Sequence, residues 1–135
     1  MRILGIDPGE RRFGLSLSDA LGLTAQGLQT FDGRTDGDFI AHVAGLVSEH
    51  EVTEIVVGHP VHLSGDESPS SKRARRLAAN LQARCKVAVR LWDERFSSRE
   101  AHRVLRGARA GKGAVDRVAA SLILQSYLDY KKGRS

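Results

Sequence analysis

A chain of 135 residues, 41% hydrophobic and 27% charged, has the make-up of one globular domain with a core of its own, expected to span residues 1–135. Its single cysteine, Cys85, excludes a disulfide framework and a cysteine-built metal site, and no apolar run approaches the ~20 residues of a membrane helix. The net charge of +5 is unevenly spread, which points towards a polyanion partner, the alternative being a merely solvated surface. Thirteen basic residues, mostly arginine, fall between Lys72 and Lys112 against three acids (Asp93, Glu94, Glu100), whereas positions 32 to 54 hold six acids and one arginine. The guanidinium fork suits phosphate, so nucleic acid is the expected partner. Charges at Asp7, Glu10, Arg11 and Arg12 follow too soon on the N-terminus for a secretory leader, and a cytoplasmic protein without membrane contact is expected.

In chain order, Ile3, Leu4 and Ile6 lead into Asp7-Pro8-Gly9, and residues 13–18 alternate apolar and polar, which predicts a β-hairpin. A third, antiparallel strand is predicted over residues 24–31. Asp36 or Asp38 is placed to cap a helix over 39–50 with the stripe Phe39, Ile40, Val43, Leu46 and Val47. The β-branched run at 54–58 reads as a buried strand ending at His59-Pro60, and residues 63–71 as a loop. Ser70 or Ser71 is expected to cap a helix with Ala74, Leu77, Ala78 and Leu81 on one face and Lys72, Arg73, Arg75 and Arg76 on the other. A fifth strand follows over 87–92. Ser97-Ser98-Arg99-Glu100 has the spacing of a capping box, ahead of Ala101, Val104 and Leu105. A basic loop over 107–113 precedes a last helix over 114–130, packed through Val115, Val118, Ala119, Leu122, Ile123 and Leu128, with a frayed tail from Lys131.

The order β-β-β-α-β-α-β-α-α predicts an α/β fold: a five-stranded mixed sheet, three antiparallel N-terminal strands among them, with helices on both faces. Sites in such sheets form at strand ends. Asp7 ends strand one, Asp93 and Glu94 end strand five, and Asp116 lies in the first turn of the last helix. Singly, each has a structural reading: a turn former, an ion-pair partner of Arg95 or Arg99, a charge favourable to a helix dipole. Gathered on one sheet edge, they would repel unless neutralised, and hard divalent cations such as Mg²⁺ or Mn²⁺, two of them, resolve that conflict in the manner of phosphodiester hydrolysis.

Gly5-Ile6-Asp7-Pro8-Gly9 with Arg12, Phe13, Gly14, Ser18 and Asp19 resembles the opening motif of the YqgF family, also called RuvX. Ile55-Val56-Val57-Gly58 with Pro60 and Gly65 resembles its second motif. Asp93-Glu94-Arg95 with Ser97-Ser98 resembles its third, and Asp116, Ala119-Ala120, Leu124-Gln125 and Tyr127-Leu128 resemble its last helix. The resemblance spans nearly the whole chain. It implies an RNase H-like fold and a metal-dependent nuclease acting in 5′-end maturation of the pre-16S ribosomal RNA, or alternatively a Holliday junction resolvase on branched DNA. The latter predicts a homodimer, because two symmetric strands are cut. It also implies that Asp7 binds both metals, that Glu94 completes the cluster and that Asp116 closes it from the helix, with Asp93 the competitor to Glu94, since neighbouring strand residues point to opposite faces.

The chain departs from the family pattern at His59 and His62, where leucine and asparagine are usual, and at Ser97-Ser98, where threonines are. An imidazole there is a possible proton shuttle or extra ligand; the alternative is a loop histidine facing solvent. RuvC has a further catalytic acid on the strand before this loop, where this chain has none, so strand five must supply it. Arg11, Arg12 and Arg95 are expected to hold phosphates flanking the cut, and Lys72, Arg73, Arg76, Arg109 and Lys112 to track the backbone, positioning substrate without reading sequence. Two further classes compete: an ATP-binding Gly-x-Asp-x-Gly hairpin of the actin or sugar-kinase kind, which needs a second domain, and a binding module whose acids are only structural.

Overall fold

The computed structural model describes residues 2–9, 12–32, 35–59, 69–93 and 112–133, except for the side chains of Ser70, Asp93 and residues 112–117. The predicted hairpin is formed by β1 (Arg2–Pro8) and β2 (Phe13–Ser18), with Leu4 opposite Leu17 and Asp7 opposite Gly14. Its turn closes where Gly9 N–H donates to the Arg12 carbonyl at 2.9 Å. A Cβ on Gly9 would stand 2.5 Å from that oxygen, so only glycine fits there. β3 (Ala25–Phe31) pairs antiparallel with β2. Then follow α1 (Asp36–His50), β4 (Val52–His59), α2 (Pro69–Cys85), β5 (Ala88–Asp93) and α3 (Lys112–Gly133). The sheet order is β3-β2-β1-β4-β5, with β4 parallel to both β1 and β5. This is the mixed five-stranded sheet that the pattern predicts. The predicted helix around residues 97–105 lies outside the described residues.

Strand alternation divides the sheet into two faces. Leu4, Ile6, Phe13, Leu15, Leu17, Ile55 and Val57 meet Phe39 and Val43 of α1 and Ala74, Leu77 and Leu81 of α2 in the larger core. The opposite phase, including Ile3, Val56 and Trp92, packs against Ile123 and Tyr127 of α3. Helices therefore cover both faces.

Several local expectations are corrected. Neither Asp36 nor Asp38 caps α1: Thr35 does, its Oγ1 accepting from Asp38 N–H at 3.0 Å, and the two acids occupy the first turn, where negative charge favours the dipole. α2 begins at Pro69, whose missing N–H costs nothing at a helix start, so Ser70 and Ser71 lie within the first turn rather than before it. α3 starts at Lys112 and continues to Gly133, which places Asp116 one turn in and turns the expected frayed residues 131–133 into helix. Its buried stripe is Ala119, Ala120, Ile123, Leu124, Tyr127 and Leu128, with Leu122 only half-buried.

The C-terminal end of α3 is held by a polar cluster that periodicity does not show. Glu54, 8% exposed, accepts from Tyr127 Oη at 2.7 Å, Arg90 Nε at 2.9 Å and Lys131 Nζ at 3.1 Å. Burial opposes ionisation of Glu54, but these three donors outweigh it and hold the carboxyl below its ordinary value of 4.5. Burial and the Glu54 carboxylate in turn push the Tyr127 hydroxyl up. A carboxyl depressed in the folded state contributes stability above its unfolded pKa and loses it as pH falls through the folded one. Thermal unfolding followed from pH 7 downwards should therefore lose stability below the ordinary value of 4.5, and Glu54→Gln should flatten that acid limb. An unchanged limb would mean that the cluster carries no linked proton.

Candidate active site at the C-terminal ends of the central strands

Asp7 stands at the end of β1, in the odd phase of that strand. Ile3 and Gly5, in the same phase, face α3: Ile3 packs on the cluster of Ile123 and Tyr127, and a Cβ on Gly5 would meet Leu124 Cβ at 2.8 Å and the Ala120 carbonyl at 3.3 Å. Rising numbers on β1 thus meet falling numbers on α3, and the helix runs antiparallel to the strand. Two strand residues beyond Gly5, about 6.6 Å, reach Asp7; one helical turn before Ala120, about 6 Å, reaches position 116. The two acidic positions come level over the same end of the sheet. Ser16 secures the approach, its buried Oγ donating to the Ala120 carbonyl at 2.8 Å.

The row of the sheet that holds Asp7 is nearly bare. On one side its partner is Gly14. On the other, Ile6 lies beside Val57, so the next step sets Asp7 beside Gly58, which pairs in turn with Trp92. Half-buried Asp7 is flanked by two buried glycines, leaving a carboxylate over a floor without competing side chains. A hard cation and a phosphate both require that room, and the carboxylate chemistry of the set suits Mg²⁺ or Mn²⁺, so the residues fit the expected ions.

The other predicted site residues divide into those brought to this edge, those turned elsewhere and those outside the described residues. Asp93 ends β5 opposite His59. Asp116 and Lys112 lie in the N-terminal part of α3. Glu94, Arg11, Arg95, Arg109 and His62 lie outside the described residues. Arg12 is half-buried in the hairpin turn. Lys72 and Arg76 are exposed near the start of α2. Among the described side chains, no three metal-ligating groups come together; of the proposed ligands only the Asp7 side chain is described.

His59 shares the phase of Ile55 and Val57 and so faces α2, where its Nε2 lies 2.5 Å from Ser71 Oγ. It does not share the face of Asp7. Arg73 has partners within the fold. Its Nη1 donates to the Gly9 carbonyl, its Nη2 lies 3.3 Å from Asp36 Oδ1, and its guanidinium sits 5.0 Å from the Phe13 ring centroid. It braces the turn that follows Asp7 and Pro8. A count of basic residues cannot separate this arginine from its neighbours, because the distinction depends on a carbonyl 64 residues away.

The sequence model of the RuvX family, described as Holliday junction resolvase, matches residues 1–130. The chain belongs to the RuvX family. A RuvX relative in Halothermothrix orenii, named "Putative pre-16S rRNA nuclease", is 42% identical over 135 residues, covering 97% of this chain and 96% of that protein. One of the same name in Koribacter versatilis is 47% identical over 132 residues, covering 95% and 86%. Among solved structures, Thermus thermophilus RuvC in complex with Holliday junction substrate superposes with a TM-score of 0.64 at 17% identity, covering 100% of this chain and 98% of that one. The likeness to RuvC establishes the RNase H-like fold that the motifs implied.

Proposed function

We propose that this RuvX protein is one RNase H-like domain, residues 1–135, that hydrolyses phosphodiester bonds as a divalent-metal-dependent nuclease of the cytoplasm. Its proposed substrate is the 5′ leader of pre-16S ribosomal RNA. The observation that carries the reading is Asp7 over its glycine row, with the N-terminal part of α3 brought level with it. The printed names of the relatives support the substrate.

Asp7, Glu94 and Asp116 would hold Mg²⁺ or Mn²⁺, two ions in number. When bound, the ions supply an activated water and charge stabilisation at the leaving oxygen. Asp7 contributes charge from the end of the central strand, where pairing with Gly14 of β2 fixes its backbone. Glu94 is preferred to Asp93 on strand phase: Arg90 donates to Glu54, which also accepts from Tyr127, and Trp92 packs on Tyr127, so even positions of β5 face α3 as Asp7 does. Gly14 and Gly58 leave space for the scissile phosphate. Arg11, Arg12 and Arg95 flank the cut, while Lys72, Arg76, Arg109 and Lys112 extend the basic track. Arg73 acts through Gly9 on the turn.

The resolvase reading, with a homodimer on branched DNA, is favoured by the family description and by the RuvC likeness. Against it, the acid that β4 offers is Glu54, at the end of the strand away from Asp7 and already occupied by three donors. A competition assay with Mn²⁺ separates the readings: a single-stranded ribosomal precursor leader and a four-way DNA junction in one tube. Cutting of the leader that depends on Asp7 is the expected result; paired symmetric nicks in the junction would move the assignment to the resolvase. Loss of cutting on both, with binding retained, would leave only a binding module.

The basic track has its own expected result. Reversing charge at Lys72 and Arg76 should weaken nucleic-acid binding and lower its salt dependence by up to about two released counterions. An unaltered slope would remove α2 from the binding face.

A further inference from the structure

Beyond the Asp7 edge, the sheet ends in β5, and a groove of about 630 Å³ runs between this strand and the C-terminal half of α3. Val89, Arg90, Leu91 and Trp92 line one side, Tyr127, Tyr130 and Lys131 the other. Its chemistry is aromatic and cationic together. The Trp92 ring lies 5.1 Å from that of Tyr130 and edge-on to Tyr127 at 5.3 Å, and its Nε1 donates to Ser126 Oγ at 3.2 Å, so the indole is fixed in place. Tyr130 is 45% exposed and Leu91 38%, so both present apolar surface to the groove. Arg90 and Lys131 stand at the rim with 61% and 48% of their side chains exposed. Both are oriented by Glu54, yet one carboxylate offsets only one of the two cations, and each retains N–H donors beyond the bond to Glu54.

The location gives this chemistry a use. Trp92 pairs with Gly58, which neighbours Asp7, so the groove begins two strand spacings, about 10 Å, from the candidate active site along one row of the sheet. Aromatic rings with cations beside them are the recognition chemistry of unpaired nucleotides, because every base has a π-face and every nucleotide a phosphate. A duplex keeps its bases stacked inside and has no base to offer.

We propose that the β5–α3 groove is a subsite for single-stranded nucleic acid, in which a base near the cleaved bond stacks against Trp92 and Tyr130 and its phosphate meets Arg90 and Lys131. The proposal rests on the nuclease reading and deepens it, making the preferred substrate unpaired.

Trp92 is the only tryptophan in the chain, so intrinsic fluorescence reports on this groove directly. The test titrates a short single-stranded RNA, and a blunt duplex of the same sequence, into Asp7→Asn protein, which keeps the strand uncut. Trp92 emission is followed with unlabelled strands and total binding by anisotropy with labelled ones. The single strand should quench Trp92 and the duplex should not. Tyr130→Ala should weaken single-strand binding about tenfold and leave duplex binding unchanged, measured well below the melting temperature of the variant. Single-strand binding with Trp92 emission unaltered and Tyr130→Ala without effect would overturn the subsite and leave the nuclease reading standing. Absence of binding by either strand would overturn both.

Discussion

Asp7→Asn protein should fold as the parent does and lose about 1,000-fold or more of its cleavage rate. The size follows from the role: charge held for a metal site is worth several kcal/mol in the transition state, and each 1.36 kcal/mol is a factor of ten. The stability expectation follows from the geometry. Asp7 is half-buried, in a row flanked by glycines, so an isosteric amide meets no new clash. With no cation bound, gathered carboxylates repel, and removing one charge should leave the protein as stable as before or slightly more so. Mn²⁺ should raise the melting temperature of the parent by mass action and not that of Asp7→Asn. The same panel decides between the two neighbouring acids: Glu94→Gln should match the loss at Asp7, and Asp93→Asn should cost far less. Full activity of Asp7→Asn would sink the metal-site assignment, and equal small losses at positions 93 and 94 would remove β5 from it.

Gly5→Ala is expected to lower stability and to disturb the site together. The added Cβ would lie 2.8 Å from Leu124 Cβ and 3.3 Å from the Ala120 carbonyl, closer than packed atoms tolerate, and would also crowd Ser16 Oγ. Two of these neighbours belong to the α3 backbone or its first side-chain carbon, so no rotamer change relieves them. The helix must move as a body, and overpacking of this kind costs about 1–3 kcal/mol. For a chain of this length that is a fall of roughly 10 °C in melting temperature. The displacement also bears on function. Residue 5 and position 120 fix how far α3 stands from β1, and that spacing sets the approach of position 116 to Asp7. Cleavage should therefore drop in Gly5→Ala even well below its melting temperature, with metal-dependent stabilisation reduced in parallel. A variant that melts earlier yet cuts normally at low temperature would separate the packing of α3 from the site.

Much of the architecture is local in origin and so was legible in the chain. Alternation over residues 13–18, the β-branched run of β4 and the helical stripe of α1 are written within single segments, because side-chain direction repeats every two residues in a strand and about every 3.6 in a helix. The strand ends followed, and with them Asp7, Asp93 and Glu94, while the start of the last helix supplied Asp116. Even the small errors at helix starts, Thr35 in place of Asp36 or Asp38 and Pro69 ahead of Ser70, are shifts by a residue or a few within the right element.

What the tertiary structure alone decided is which groups face one another across the sheet. Gly14 and Gly58 clear a row for Asp7 only because of the register of β1 with β2 and β4. His59 and Asp7 sit at the same end of neighbouring strands but in opposite phase, which turns the imidazole towards Ser71 and away from the carboxylate. Arg73 reads as one more phosphate ligand in a basic run until Gly9 and Asp36 are found beside it. Glu54 opens the run read as a buried strand, and nothing local shows that Tyr127 and Lys131, more than 70 residues on, close over it. The reason is common to all four. Backbone periodicity fixes a residue's phase from its immediate neighbours, whereas its partners depend on the pairing of segments far apart in the chain, and no local pattern carries that register.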